Sequence, residues 1–177
     1  MSQLVMLDQA TFTVSETGTF GPISWQIESG QKWFLAGRNG SGKSVLLGLI
    51  ERGGRALSGE AFGIPQNAVV VSAAAHLALI DRERAQHDGA DDKLQGTSVA
   101  DLLREFNPVD AVLTELISRF QLQPLLGQRF RQLSTGETKK ILFVRALASE
   151  CPMLILDEPL AGLDAVSQAL ALGCLAD

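Results

Sequence analysis

Residues 37–44 read GRNGSGKS, between the apolar runs FLA at 34–36 and VLLGLI at 45–50. The octet matches G-x-x-x-x-G-K-[ST] at every fixed position, after an expected strand and before an expected helix. Gly37, Gly40 and Gly42 suit a bend in which successive backbone N–H groups converge on phosphate oxygens, because a Cβ would obstruct both the conformation and the approach. The positive end of the following helix adds attraction for an anion. Lys43 then has the reach for β- and γ-phosphates, and the Ser44 hydroxyl is a hard-oxygen ligand for Mg²⁺. The competing reading is an ordinary strand-to-helix turn with a solvated lysine.

A second stretch bears on that choice. In MLILDEP, Met153 to Pro159, an apolar strand delivers Asp157 and Glu158 at its C-terminal end, where ligands gather in open α/β sheets. Beside a phosphate loop, Asp157 suits the Mg²⁺ shell and Glu158 suits polarising an attacking water. Taken alone, the same residues would read as a turn capping a helix.

Composition bounds the rest. The chain has 177 residues, 46% hydrophobic, enough for one domain with a sizeable core. A net charge of −5 with both signs interspersed argues against an electrostatic grip on bare nucleic acid or an anionic membrane. Cys151 and Cys174 lack metal-ligand spacing and read as reduced core thiols, which fits a cytoplasmic protein. The opening residues show no signal-peptide pattern, and no apolar run reaches a membrane span.

Along the chain, 3–14 and 22–28 read as strands, 28–31 as a turn and 32–36 as the strand entering the glycine bend. Residues 68–72, AVVVS, read as a buried strand, and 82–96 as a polar surface loop. Thr97 or Ser98 can cap a helix with Val99, Leu102, Leu103 and Phe106 on its apolar face. Asn107 and Pro108 start a second helix, with Val109, Val112, Leu113, Leu116, Ile117 and Phe120 at helical spacing. Ser134 starts a third, to about Ser149, and an alanine-rich helix follows the DEP turn. The pattern predicts an α/β domain over 1–177: a mostly parallel sheet, an antiparallel β subdomain and an inserted helical subdomain at about 77–150.

The stretch LSTGETKK, 133–140, narrows the class. With GRNGSGKS, MLILDEP and AGLD in the same order, the chain resembles the ATP-binding cassette (ABC) ATPases, whose signature is usually LSGGQ. Within them it is similar to the soluble double-cassette proteins labelled molybdenum transport or photorepair ATP-binding proteins. The resemblance implies a P-loop NTPase fold with ATP and Mg²⁺ as ligands. ATP would be held by Gly37, Arg38, Asn39, Gly40, Ser41, Gly42, Lys43, Ser44 and Val45, and the metal by Ser44 and Asp157. Glu158 and Lys43 would serve hydrolysis. It further implies a second cassette, head to tail, whose ATP would meet Ser134, Thr135, Gly136 and Glu137. Asp164 of AGLD would lie near that shared interface, and in transport members a membrane permease subunit would hold the cassette at the inner membrane. The signature also has a local reading, since Ser134 and Glu137 form an S-x-x-E capping box.

Three departures qualify the resemblance. The family usually stacks adenine on an aromatic near the end of the first strand, where this chain has Val14; Phe12, on the same face, reads as a core residue or as a substitute. The glutamine that follows the strand after the phosphate loop is absent, Gln66 falls before that strand, and His76 is a structural histidine or a substitute sensor. Cassettes also continue past AGLD with another strand and a histidine, so the resemblance implies a C-terminally truncated cassette. The alternatives to an ATPase driving transport are a nucleotide-gated regulatory module with little turnover, and a cassette acting on nucleic acid or ribosomes.

Overall fold

The computed structural model describes residues 3–14, 18–51, 56–62, 67–86 and 96–176. They form two compact units, 1–69 with 151–155 and 70–150 with 156–177.

The first unit is built on a three-stranded antiparallel sheet in the order β2–β1–β3, from β1 (Gln3–Thr13), β2 (Thr19–Glu28) and β3 (Ala56–Phe62). Its core takes Val5, Leu7, Ala10 and Phe12 from β1, with Ile27 and Ile50. Strict alternation would put Leu7 and Ala10 on opposite faces. A bulge reconciles them: Gln9 has φ +45°, and both pairings of β1 shift register there. Helix α1 (Lys43–Glu51) follows the glycine bend.

The expected strand at 32–36 does not form. Residues 31–38 have no ladder partner among the described residues, and Phe34 is 90% exposed. Its hydropathy suits a buried strand, but a strand needs a neighbour to satisfy its amides, and the β2–β1–β3 sheet does not take it in. Strand β3 was not expected: ALSGEAF lacks clean alternation and pairs along the free edge of β1.

A short pair forms from β4 (Val69–Val71) and β5 (Leu154–Leu156). The amide of Val69 donates to Met153 at 2.9 Å and that of Asp157 to Val71 at 2.8 Å. Residue numbers rise together along both strands, which makes the pair parallel.

The second unit is helical. It comprises α2 (Ala73–Gln86), α3 (Val99–Arg104), α4 (Asp110–Arg119), α5 (Thr135–Ala148) and α6 (Ala165–Ala176). Ser98 caps α3 by accepting the Asp101 amide at 3.1 Å. Val99, Leu102 and Leu103 of α3 are buried, as are Leu113 and Leu116 of α4 and Phe120 just beyond it, whereas Val109 and Val112 remain exposed. The core centres on α5, where Ile141, Phe143 and Val144 are fully buried and Phe143 meets Phe120 at 5.9 Å. The polar loop expected at 82–96 begins later than the sequence suggests: 82–86 complete α2, and 87–95 lie outside the described residues.

That helix extension has a physical cause. Glu83 is fully buried and accepts the Thr97 amide at 3.0 Å and the Thr97 hydroxyl at 2.6 Å. Beside it Glu105 takes two bonds from Arg82 and one from Arg145, the latter at 2.7 Å. Arg145 is 8% exposed and lies over the Phe106 ring at 4.1 Å from its centre. Burial lowers its pKa to about 10 despite the attraction of Glu105. Among the described residues no helix is long and apolar enough to cross a membrane.

Candidate functional site

In the first unit, residues 37–44 link the extended segment to α1. Gly40 and Gly42 have φ of +80° and +90°, a region where side chains are disfavoured, so the spacing of glycines meets a backbone need. The Ser41 amide donates to Arg38 O at 3.1 Å, closing a turn over Asn39 and Gly40, and the Leu46 amide donates to Gly42 O at 2.9 Å. Lys43 folds back into the loop, its Nζ donating to Gly37 O at 2.8 Å and Arg38 O at 3.0 Å. An ammonium thus stands inside a ring of main chain at a helix N-terminus, an arrangement that attracts anions. Ser44 and Val45 are exposed on the first turn of α1.

Phe12 is 1% exposed beneath the sheet and is a core residue; Val14 is 44% exposed. An aromatic does meet the bend: Phe20 of β2, whose ring edge lies against Gly42. Sequence reasoning missed it, because nothing local relates 20 to 42.

In the second unit, Asp157 is half-buried just past β5 and Glu158 is exposed after it, with φ +52°. The Glu158 carbonyl accepts the Ala161 amide at 3.1 Å, which turns the chain into AGLD. Asp164 accepts the Ser167 amide at 2.9 Å and hydroxyl at 2.8 Å, so it caps α6. These bonds, with Lys140 at 3.0 Å, hold its carboxyl well below the usual carboxylate range.

Ser134 and Glu137 form the capping box. The Ser134 hydroxyl accepts the Glu137 amide at 3.3 Å, and the Glu137 carboxylate accepts the Ser134 amide at 2.8 Å and hydroxyl at 2.6 Å. Those bonds lower the Glu137 pKa. Thr135 and Gly136 stand on the first turn of α5, where main-chain amides face outward. Two residues that the motif reading passed over join this turn to AGLD. Lys139 donates to Ala161 O at 2.6 Å and Lys140 pairs with Asp164, so the signature and the AGLD stretch come together in one unit. No pattern in the sequence pairs 140 with 164.

His76 is half-buried in α2, and burial, then the charge of Lys139, lowers its pKa, which favours the neutral ring. Gln66 lies outside the described residues. The Ser44 hydroxyl in the first unit and the Asp157 carboxylate in the second are each a hard oxygen of the kind that Mg²⁺ takes. Among the described residues no cluster of three or more His, Cys, Asp or Glu could hold a metal.

The family model described as ABC transporter matches residues 20–161. The chain is 34% identical over 174 residues to the ABC transporter ATP-binding protein ModF of Escherichia coli (strain K12), covering 95% of this chain and 35% of that protein. It is 29% identical to the glutathione/L-cysteine transport system ATP-binding/permease protein CydC of the same organism, covering 96% of this chain and 30% of that one. The chain therefore spans about a third of the length of these curated relatives. Among solved structures, an ATP-binding subunit of an ABC transporter superposes with a TM-score of 0.73 at 18% identity, over 97% of this chain and 73% of the other. RNase-L Inhibitor superposes with a TM-score of 0.68 at 20% identity, over 98% and 31%. These likenesses show the fold, that of the P-loop NTPase cassettes.

Proposed function

The chain belongs to the ABC transporter family of ATP-hydrolysing P-loop NTPases, and from that premise we propose that it binds Mg-ATP at Gly37–Ser44 and acts with a second cassette. The observation that carries this reading is Lys43 folded inside a glycine-shaped ring of main chain at the start of α1. Entry of a triphosphate would exchange the two carbonyl partners of Lys43 for β- and γ-phosphate oxygens, at little conformational cost. Val45 and Arg38 would flank the nucleotide. Ser44 and Asp157 would hold Mg²⁺, which supplies neutralisation of charge on the transferring phosphoryl group. Glu158, exposed at the end of β5, would orient the attacking water.

A partner cassette would close head to tail, so that the amides of Thr135 and Gly136, with Ser134 and Glu137, meet the partner's γ-phosphate. Closure and reopening would do mechanical work. The transport-related names of ModF and CydC favour coupling to a membrane permease on the cytoplasmic face. The chemistry of the loop is indifferent to which cargo a partner selects.

One observation favours a second reading, a nucleotide-gated module with little turnover. Residues 73–79, AAAHLAL, directly after β4 hold no glutamine, and burial and Lys139 turn His76 there toward neutrality. Retention of radiolabelled ATP, with and without Mg²⁺, tests the main proposal: Lys43→Ala is expected to abolish it, and retention unchanged in that variant would refute it. Turnover by the protein paired with a second cassette that is lost in Glu158→Gln, with binding kept, would exclude the gated module.

A further inference from the structure

Phe20 opens β2 opposite Phe12, which is enclosed in the core, while its own ring is half-buried and reaches the glycine bend. A Cβ added to Gly42 would overlap Cε2 of that ring and stand 2.9 Å from Cζ. The ring edge therefore occupies the space that a side chain at 42 would have filled.

We propose that Phe20 is a positioning residue that holds the phosphate loop in its binding shape by packing against Gly42; the inference rests on reading Gly37–Ser44 as the nucleotide site. The loop's own bonds act around Gly42 without fixing it. Lys43 and the Ser41 amide tie the Gly37–Arg38 end, and the Gly42 carbonyl is already taken by Leu46 of α1. A glycine visits positive and negative φ about equally, so the step at φ +90° needs an outside restraint. Phe20 supplies it as a flat, rigid edge anchored in a sheet. No other aromatic at that end of β1 is free to do so, since Phe12 is fully engaged in the core and position 14 is valine.

The consequence is a pre-organised cradle for the phosphates shared by ATP and ADP. Without the ring, the loop would reach its competent shape only part of the time, and apparent affinity would fall by that fraction. Both nucleotides would weaken alike, whereas the rate of the chemical step in already bound complexes would change little.

The test compares the full chain with Phe20→Ala, Phe20→Leu, Gly42→Ala and the Phe20→Ala/Gly42→Ala double variant. It combines titration with fluorescent ATP and ADP analogues plus Mg²⁺, amide hydrogen exchange over 38–46, and thermal unfolding. Phe20→Ala is expected to weaken both nucleotides about tenfold, corresponding to a competent fraction of roughly one in ten. It should also speed exchange in the loop, and Phe20→Leu should recover most of both effects. Gly42→Ala should cost less in the Phe20→Ala background than alone, because the overlap is gone and only the backbone strain remains. Unchanged exchange in folded Phe20→Ala, or strict additivity in the double variant, would overturn the inference. Should the unsubstituted chain bind neither nucleotide, the site reading falls, and exchange together with the double-variant cycle still decides the role of Phe20.

Discussion

Replacing Glu105 with glutamine probes how the helical unit holds the signature helix. Glu105 accepts Arg145 Nη1 at 2.7 Å and both terminal nitrogens of Arg82, while the Nε atoms of Arg82 and Arg145 are buried with no hydrogen-bond partner among the described residues. Arg145 is 8% exposed, and burial lowers its pKa to about 10, so its charged form is held at a cost of about 3 kcal/mol even with Glu105 in place. Breaking a buried pair by removing one partner typically costs about 3–5 kcal/mol. Glu105 is itself one-third exposed, and water can approach the vacated site, which moves the expectation to about 2–4 kcal/mol. For a chain of this size that corresponds to a fall in melting temperature of about 4–16 °C. Urea unfolding followed by circular dichroism measures it, with Arg145→Met/Glu105→Gln as the control. That double variant removes the stranded charge and should recover much of the loss. A Glu105→Gln midpoint within about 0.5 kcal/mol of the parent, the range of ordinary surface substitutions, would refute the reasoning.

Two further outcomes follow from the caps. Ser134→Ala removes the acceptor for the Glu137 amide and is expected to destabilise by about 1 kcal/mol, with Ser134→Thr, which keeps the hydroxyl, largely neutral, as read by thermal unfolding. Asp164 has a folded-state pKa below its unfolded value, so its stabilising contribution is complete above about pH 4 and is lost as pH falls through the depressed value. Asp164→Asn should flatten that acid limb in a stability–pH profile, and an unchanged limb would contradict the assignment.

The parts legible in the sequence are those whose physics is local. GRNGSGKS declares its turn through glycine, and S-x-x-E declares its cap, because each bond closes within a few residues. The apolar faces of α3 and α4 were readable from helical spacing, yet Val109 and Val112 stay exposed because periodicity says nothing of where the facing core ends. What escaped depends on long separation. Arg82 and Arg145 meet Glu105 from 23 and 40 residues away, and that anchoring makes 82–86 helix where charged residues had read as loop. Strand β3 exists because β1 offers an edge, and the segment at 32–36 lacks one despite a suitable composition. Pairing partners, unlike propensities, are not written at the position that uses them.

The two candidate elements are consequently held by different kinds of force. Helix α5 buries Ile141, Phe143 and Val144, each contributing about 1.5–3 kcal/mol of transfer free energy, and Lys139 and Lys140 fasten the AGLD stretch to its first turns. The signature therefore sits on a stiff support that a ligand can meet but not easily reshape. The phosphate loop rests on a few hydrogen bonds and one ring edge, with Phe34 and Trp33 before it largely exposed. Local stability follows buried contact density, so the loop's shape depends on those few contacts, and losing the Phe20 edge would loosen it far more than losing any one contact would loosen α5.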